Sequence, residues 1–186
     1  MNKLIAIVGM AGSGKSVATD YLVEQGWNKI YFGGVIYNLM EKAGIEITPE
    51  SQRIFREDLR KKHGMDIVAK ILLDKIEKSY TEKNTILDGL YSWDEYKTLQ
   101  EKFGNKLKII CVCCDKKIRY ERIGNREKRP FNKTEIRQRD ITEIENSAKG
   151  GPIAFADYYL FNNGDIDEYK NRLNEIINEI DKEGEM

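Results

Sequence analysis

The chain has 186 residues, and its 31 lysines and arginines balance 31 aspartates and glutamates, which gives a formal net charge of zero. Proteins that wrap nucleic acid or dock on anionic membranes usually carry a basic excess, so we expect neither partner. With 40% hydrophobic residues, the chain is typical of a soluble globular protein that buries its own core. Apolar runs fall far short of the ~20 residues of a membrane span, and no signal-peptide cleavage pattern follows the N-terminus. We therefore expect a cytoplasmic protein, as a monomer or a small homo-oligomer.

Hydrophobic periodicity predicts strands and helices that alternate along the chain. The predicted strands cover residues 3–8, 28–32, 85–87, 108–113 and 158–161. The predicted helices cover residues 16–25, 35–43, 48–63, 66–78, 92–103, 116–123, 134–147 and 165–180, with a polar loop at 125–132 and a break at 149–152. Strands that are separated by helices pair in parallel through crossovers, so we expect a three-layer α/β fold with about five strands.

Three cysteines, Cys111, Cys113 and Cys114, lie at the end of the fourth predicted strand. Structural zinc sites use two separated pairs of ligands, and this single cluster lacks that spacing. An odd number of cysteines in one cluster also argues against a disulfide framework. We therefore predict that they are core residues of a buried strand.

The segment from Gly9 to Ser16 reads Gly-Met-Ala-Gly-Ser-Gly-Lys-Ser and fits the pattern G-x-x-x-x-G-K-[ST] in full. It follows a predicted buried strand and opens a predicted helix, which is the context in which this motif cradles phosphates. Lys15 would contact the terminal phosphates, and the Ser16 hydroxyl would hold Mg²⁺. We therefore predict a site for ATP and Mg²⁺, built from Gly9, Ala11, Gly12, Ser13, Gly14, Lys15, Ser16 and Val17.

Asp88 ends the third predicted strand and is followed by Gly89. Ligands of parallel sheets bind at the carboxyl ends of the strands, so we predict that Asp88 joins Ser16 in holding the metal and contributes to catalysis. Because Asp-Gly is also a common turn pair, a purely structural turn is the alternative.

Residues 116–139 carry a strong local positive charge although the whole chain is neutral. Ten basic residues against three acidic ones give this segment a charge of +7 (10 − 3). Arginines that close over a transferring phosphoryl group stabilise its charge, and Arg122 and Arg126 share a helix face if the helix continues that far. We predict that these two are catalytic. A solvated basic surface is the alternative, and no interleaved aromatic residues support RNA binding. The basic residues are Lys116, Lys117, Arg119, Arg122, Arg126, Lys128, Arg129, Lys133, Arg137 and Arg139.

Together these features resemble the P-loop nucleoside monophosphate kinase superfamily. The shared features are the P-loop, a helical insertion after the second strand, Asp88-Gly89 after the third strand and an arginine-rich segment after the fourth. Residues 156–164, Ala-Asp-Tyr-Tyr-Leu-Phe-Asn-Asn-Gly, are similar to the segment that precedes the last helix of dephospho-CoA kinases. Residues 32–44 resemble small adenylate-kinase-like ATPases.

The resemblance implies a single kinase domain over residues 1–186, with a five-stranded parallel sheet in the order 2-3-1-4-5. It implies an acceptor-binding region at about 34–84 and a mobile lid at about 124–150. Arg122, Arg126 and Arg139 match lid arginines, and Asn163, with its neighbours Asn162 and Gly164, would lie near the adenine of ATP. The implied activity is transfer of the γ-phosphate of ATP to a nucleotide-like acceptor.

The chain departs from these relatives at the acceptor site, where Tyr37 and Tyr91 replace two arginines. A phenol offers one hydrogen-bond donor and neither the charge nor the fork of a guanidinium. We therefore expect an acceptor that is unphosphorylated at the usual position or is held by other cations. Arg56, together with Arg53 and Arg60, is the candidate for that set, with a solvated helix face as the alternative. Tyr37 and Tyr91 would stack on the acceptor or pack as ordinary partly buried tyrosines.

Two other functions fit a P-loop. A GTPase-type switch would need an Asn-Lys-x-Asp base reader, whereas the nearest segment here, residues 132–135, reads Asn-Lys-Thr-Glu. A nucleotide-binding regulator without catalysis would explain the missing acceptor arginines. The kinase remains the leading hypothesis, because the P-loop and its structural context agree.

Overall fold

The structure, a computed structural model, describes residues 2–127 and 130–183. Within these ranges one parallel sheet of five strands has the order β2-β3-β1-β4-β5. The predicted α/β fold and strand order are confirmed. The strands are β1 (Leu4–Val8), β2 (Asn28–Tyr31), β3 (Thr85–Asp88), β4 (Leu107–Cys113) and β5 (Tyr158–Phe161).

Helices flank the sheet and follow the predicted order, with ends that differ by a few residues. They are α1 (Lys15–Glu24), α2 (Gly33–Lys42), α3 (Pro49–His63), α4 (Ile67–Glu82), α5 (Trp93–Phe103), α6 (Lys116–Gly124), α7 (Lys133–Glu145), α8 (Gly150–Ala154) and α9 (Ile166–Glu183). The predicted break at 149–152 is wrong, because α8 begins inside it. Pro152 is compatible with this helix since it lies in the first turn, where a backbone N–H needs no partner within the helix.

Side chains of β1 alternate between two cores, one on each face of the sheet. Leu4, Ala6 and Val8 pack with residues of α2, α4 and α5. Ile5 and Ile7 pack with residues of α1 and α9. The central strand is therefore buried on both faces, as its continuous apolar run predicts for a parallel sheet. This burial fixes the position of the chain that leaves β1 at Gly9.

A smaller hydrophobic cluster packs the basic segment, residues 116–139, against the P-loop. Ala11 of the P-loop, Ile123 of α6 and Ile136 of α7 pack together. α7 begins with Asn132, whose side chain accepts a hydrogen bond from the Glu135 amide at 3.0 Å. The helices after β4 therefore cover the P-loop, although Lys128 and Arg129 of the basic segment lie outside the described residues.

The three cysteines are free thiols, with Cys111 buried and Cys113 and Cys114 partly buried. Cys111 belongs to the core on one face of the sheet, and Cys113 packs against it. Across the described ranges, no helix combines the length and the apolar character needed to cross a membrane.

Candidate functional site

The P-loop joins β1 to α1 as a tight turn with unpartnered backbone donors. Gly9, Gly12 and Gly14 have φ values of 137°, 80° and 103°, a region that favours glycine. Among the described residues, the amides of Gly12, Gly14, Lys15 and Ser16 have no hydrogen-bond acceptor. The Ser13 hydroxyl is also buried without a partner, whereas the Val17 amide donates to the Gly14 carbonyl at 3.1 Å. Donors that point to one place at a helix N-terminus form an anion site.

Lys15 folds back over the loop. Its Nζ donates to the Gly9 carbonyl at 2.8 Å and to the Met10 carbonyl at 3.0 Å. Burial and, after it, the charge of Lys149 lower the pKa of Lys15 to about 7 against the opposing charges of Glu143 and Asp88. A phosphate that arrives at the loop would supply the negative charge that this buried ammonium lacks.

Side chains that are distant in sequence hold the P-loop by hydrogen bonds to its carbonyl groups. The Asn162 side chain donates to the Ser13 carbonyl at 2.8 Å, and the Tyr169 hydroxyl donates to the Gly14 carbonyl at 3.2 Å. Gly14 has no room for a side chain, because a Cβ there would overlap the Asn162 amide. The loop is therefore fixed by β5 and α9 as well as by its own glycines.

Asp88 and Ser16 lie in one neighbourhood, linked through Lys29 of β2. Asp88 Oδ2 is 3.2 Å from Lys29 Nζ, and Asp88 pairs with Ile7 of β1 and Tyr31 of β2 in the sheet register. Lys29 Nζ also reaches Thr19 Oγ1 at 3.3 Å, and that hydroxyl donates to the Ser16 carbonyl at 3.0 Å. Although burial opposes the charge of Lys29, Asp20 and Asp88 raise its pKa.

This arrangement suits a magnesium ion that is held mainly by phosphates. Mg²⁺ is usually bound through one or two protein oxygens, substrate phosphates and water. Ser16 and Asp88 can supply two oxygens at the carboxyl end of the sheet. Within residues 2–127 and 130–183, no cluster of three or more His, Cys, Asp or Glu side chains offers an all-protein metal cage.

The predicted lid residues occupy different environments. Arg122 is fixed, because its Nη1 donates to the Asn162 carbonyl at 2.9 Å and to Cys114 Sγ at 3.4 Å. Arg126 is exposed, and partial burial followed by the nearby charge of Arg139 lowers its pKa. Asn163 accepts a hydrogen bond from the Asp115 amide at 2.8 Å. Asn162, rather than Asn163, contacts the P-loop.

A cleft of about 200 Å³ collects the three predicted acceptor residues, Tyr37, Tyr91 and Arg56. Two of its lining residues, Arg139 and Glu143, lie within electrostatic range of Lys15. Tyr31 also lines it, and burial raises the pKa of both Tyr31 and Tyr91, which keeps these phenols neutral. Arg56 has no ion-pair partner among the described residues. The further lining residues include Phe32, Gly33, Ile36, Gln52, Arg60, Glu95, Arg139 and Glu143.

Two features of the cleft follow from its neighbours. The Tyr31 ring lies directly against Gly33, and a side chain at Gly33 would overlap it. Arg60 pairs with the buried Glu95 at 3.2 Å, and Glu95 also accepts from the Tyr91 amide at 2.9 Å. The charge of Arg60 is therefore committed to holding the turn after β3, which leaves Arg56 as the cation of α3 that faces the cleft without a counter-ion.

Four residues of the site were missed by sequence reasoning as functional candidates. Arg119 donates to the Ala11 carbonyl at 2.7 Å and forms a bidentate pair with Asp140 of α7. Glu143 contacts Arg139 Nε at 3.1 Å and Lys149 Nζ at 2.6 Å. Arg119 was counted only as part of the basic segment. No sequence motif includes these residues, because the position of each depends on an ion pair with a residue far away in sequence or across a turn.

Comparisons with known proteins agree with this fold and loop. A family model described as "AAA domain" matches residues 5–143. The UPF0200 protein of Hyperthermus butylicus is 34% identical over 184 residues, which cover 97% of this chain and 96% of that protein. The UPF0200 protein of Sulfurisphaera tokodaii is 34% identical over 182 residues, with 96% and 97% covered.

Two solved structures share the fold at low sequence identity. TT1252 from Thermus thermophilus superimposes with a TM-score of 0.62 at 17% identity and covers 96% of this chain and 97% of its own. A sugar kinase from Janibacter sp. HTCC2649 gives a TM-score of 0.52 at 13% identity, with 92% of each chain covered. The chain belongs to the UPF0200 family and has the fold of P-loop NTPases.

Proposed function

We propose that this protein is an ATP-dependent phosphotransferase that transfers the γ-phosphate to a small, nucleotide-like acceptor. The observation that carries the proposal is that Lys15 of the P-loop lies within electrostatic range of two residues that line a cleft of tyrosines. The charges of Arg139 and Glu143 shift the pKa of Lys15, and both of these residues line the cleft. A phosphate donor bound at the loop and an acceptor bound in the cleft would therefore both lie near Lys15, Arg139 and Glu143, which favours transfer between them.

The residues of the loop fit a nucleoside triphosphate with Mg²⁺. The unpartnered amides of Gly12, Gly14, Lys15 and Ser16 would donate to phosphate oxygens, and Lys15 would exchange its carbonyl contacts for a phosphate. Ser16 and Asp88 would hold Mg²⁺, which when bound neutralises part of the phosphate charge. The buried, unpartnered Ser13 hydroxyl offers one more donor at the loop.

Cations of the basic segment would complete the site during transfer. Arg122 is anchored next to the P-loop through Asn162. Arg126 is exposed and close enough to Arg139 for their charges to interact, so it is free to turn toward a bound phosphate. These guanidinium groups would stabilise the charge that spreads over the moving phosphoryl group.

The cleft favours an acceptor with a flat ring or a sugar and little charge. Tyr31, Tyr37 and Tyr91 supply aromatic faces and hydroxyl donors, and Arg56 supplies one cation. A nucleoside, a nucleoside monophosphate or dephospho-CoA fits this chemistry, and the fold shared with a sugar kinase extends the panel to sugars. Lid closure would exclude water and limit wasteful hydrolysis of ATP.

The test is a screen for ADP release and for phosphate transfer from γ-labelled ATP, over nucleosides, nucleoside monophosphates, dephospho-CoA and sugars. We expect one class to stimulate turnover and to become labelled. Lys15→Met should abolish this turnover, whereas Lys97→Met, which removes an exposed lysine paired with Asp94, should leave it unchanged. ATP binding without turnover across the whole panel would instead identify a nucleotide-binding regulator.

A further inference from the structure

A buried lysine, Lys149, lies against Tyr91 of the cleft wall and within electrostatic range of Lys15 of the P-loop. Lys149 follows α7 and immediately precedes α8, and only 2% of its surface is exposed. The residue before it, Ala148, has a φ of 48°, which non-glycine residues rarely adopt. A strained backbone that persists before a buried charge indicates that the surroundings impose this conformation.

The surroundings of Lys149 join both halves of the site. Its Nζ lies 2.6 Å from Glu143 Oε2 and 4.8 Å from the centre of the Tyr91 ring, which lines the cleft. After burial, its charge is the largest influence that lowers the pKa of Lys15. Lys149 therefore lies within electrostatic reach of the P-loop lysine and in contact with a wall of the acceptor cleft.

Positive charge is in excess at this point. Lys149 and Arg139 contact Glu143, and Lys15 lies within electrostatic range of all three. The nearby carboxylates Asp88 and Asp140 are already paired with Lys29 and Arg119. Burial opposes ionisation of Glu143, yet Lys149 and Arg139 hold its pKa below the usual value. Burial lowers the pKa of Lys149, and Glu143 opposes that effect. Uncompensated buried cations are costly, so an anion between Lys15 and Lys149 would relieve the repulsion.

We propose that Lys149 is a catalytic residue whose ammonium group contacts the phosphoryl group during transfer, and that Glu143 is its positioning residue. This inference rests on the proposed phosphotransferase function. Tyr91 brings no charge to the acceptor side of the site, and Lys149 supplies that charge across the Tyr91 ring. The cation comes from the chain segment after α7, outside the P-loop and outside the arginines that sequence patterns single out.

The transfer step balances without any change in Lys149. An acceptor oxygen forms a bond to the γ-phosphorus while the bond from that phosphorus to the β,γ-bridging oxygen breaks. The electron pair of the broken bond stays on ADP, and a hydroxyl acceptor releases its proton to water. Lys149 remains protonated and acts only through its charge and hydrogen bonds, which matter most when negative charge spreads over the phosphoryl oxygens.

The experiment compares binding of ADP with binding of ADP plus aluminium fluoride, both with Mg²⁺, in the wild type, Lys149→Met and Lys149→Arg. Aluminium fluoride mimics the phosphoryl group in transfer and requires no acceptor. For Lys149→Met we expect ADP affinity within about threefold of wild type and an affinity for the fluoroaluminate complex lower by about 100-fold, the effect of losing one transition-state donor. Lys149→Arg should restore part of the loss. In turnover assays kcat should fall with little change in the KM for ATP.

Further variants separate this role from stability. Glu143→Gln should weaken the fluoroaluminate complex less than Lys149→Met, because Lys149 remains charged but less well placed. Lys149→Met leaves the Glu143 carboxylate without its lysine partner. If Lys149→Met fails to fold for this reason, the double variant with Glu143→Gln removes that carboxylate and replaces it in the binding comparison. Lys97→Met is the control for loss of a lysine, since Lys97 is exposed and pairs with the exposed Asp94.

The proposal is overturned if folded Lys149→Met binds the fluoroaluminate complex as tightly as wild type, or loses affinity for ADP by the same factor. It is also overturned if the wild type binds ADP equally well with and without aluminium fluoride. An absence of acceptor-stimulated turnover in the wild type contradicts the proposed function instead, and the binding comparison still decides the role of Lys149.

Discussion

The P-loop takes its candidate phosphate-binding groups from eight consecutive residues. The cations near the loop, Arg119, Arg139 and Lys149, which we call the basic side, come from three separate places in the chain. In the loop, the donors all belong to one turn between a strand and a helix N-terminus, although the distant Asn162 and Tyr169 help to hold that turn. On the basic side, each cation is held by a carboxylate of α7, either Asp140 or Glu143.

This difference separates the two kinds of charge at the site. Four amides of the loop have no acceptor among the described residues, while the cations of the basic side are already paired within the protein. A paired cation costs less to bury, and it can be held at a fixed position before the substrate arrives. We infer that the loop provides phosphate affinity and that the basic side provides placement of charge for the reaction.

The largest effect that would sharpen this comparison is expected from Lys15→Met. The variant removes the buried charge of the loop without touching the pairs of α7, and ATP turnover should fall by about 10³-fold. Stability should not decrease, because the ammonium lies buried without a carboxylate in contact. Turnover and urea unfolding measured on the same preparation check both halves of the prediction, and a large loss of stability would contradict it.

Arg119→Met should have the next largest effect, and on stability rather than affinity. The change leaves Asp140 buried without its partner, and loss of one member of a buried pair costs about 3–5 kcal/mol of unfolding free energy. Arg172→Met is the matched control, because Arg172 is 47% exposed and pairs with Glu175 and Glu179. We expect the control to lose no more than about 1 kcal/mol. Similar losses in urea unfolding for both variants would break the comparison.

Gly14→Ala should weaken ATP binding by about 100-fold, because a displaced loop no longer directs its donors at one point. The new Cβ would push against Asn162, which holds the Ser13 carbonyl. Gly44→Ala provides the control, since Gly44 also has a positive φ, of 66°, but a Cβ there meets nothing within 4 Å. Both changes strain the backbone, so only Gly14→Ala should alter the dissociation constant measured by fluorescence titration. Equal losses of affinity would point to backbone strain alone.

A smaller effect is expected from pH. The pKa of Lys15 is about 7 without ligand, so ATP binding above that value must take up a proton. The dissociation constant should therefore rise by up to about tenfold per pH unit between pH 7 and 9. Without ligand, Lys15 loses its proton near pH 7 in the folded state but keeps it up to about pH 10 in the unfolded state. The contribution of Lys15 to the free energy of unfolding therefore rises with pH above 7.

Calorimetry in buffers of different ionisation enthalpy measures the proton uptake directly. Lys15→Arg should remove the pH dependence, because a guanidinium group stays charged over this range. A pH-independent dissociation constant in the wild type would contradict the lowered pKa and the burial that causes it.

The sequence determined the fold and the phosphate loop. β1 reads as a continuous apolar run because both of its faces are buried, and the P-loop reads as a motif because the glycines, Lys15 and Ser16 act within one turn. Both signals are local, so patterns of spacing reveal them. Asp88 was predicted as a metal ligand in the same way, because ligands bind at the carboxyl ends of parallel strands, and this role stays a prediction.

Tertiary structure alone decided which polar residues meet at the site. Asn162 reaches Ser13 across 149 residues, Arg119 finds Asp140 on another helix, and the segment after α7 turns Lys149 toward Tyr91. Nothing in the spacing of these residues marks the contacts, because a buried charge is stabilised by its particular neighbours rather than by a repeat along the chain. The sequence therefore determined the loop at which we predict phosphate binding, and only the packing of α6, α7 and β5 around the loop determined which charges surround it.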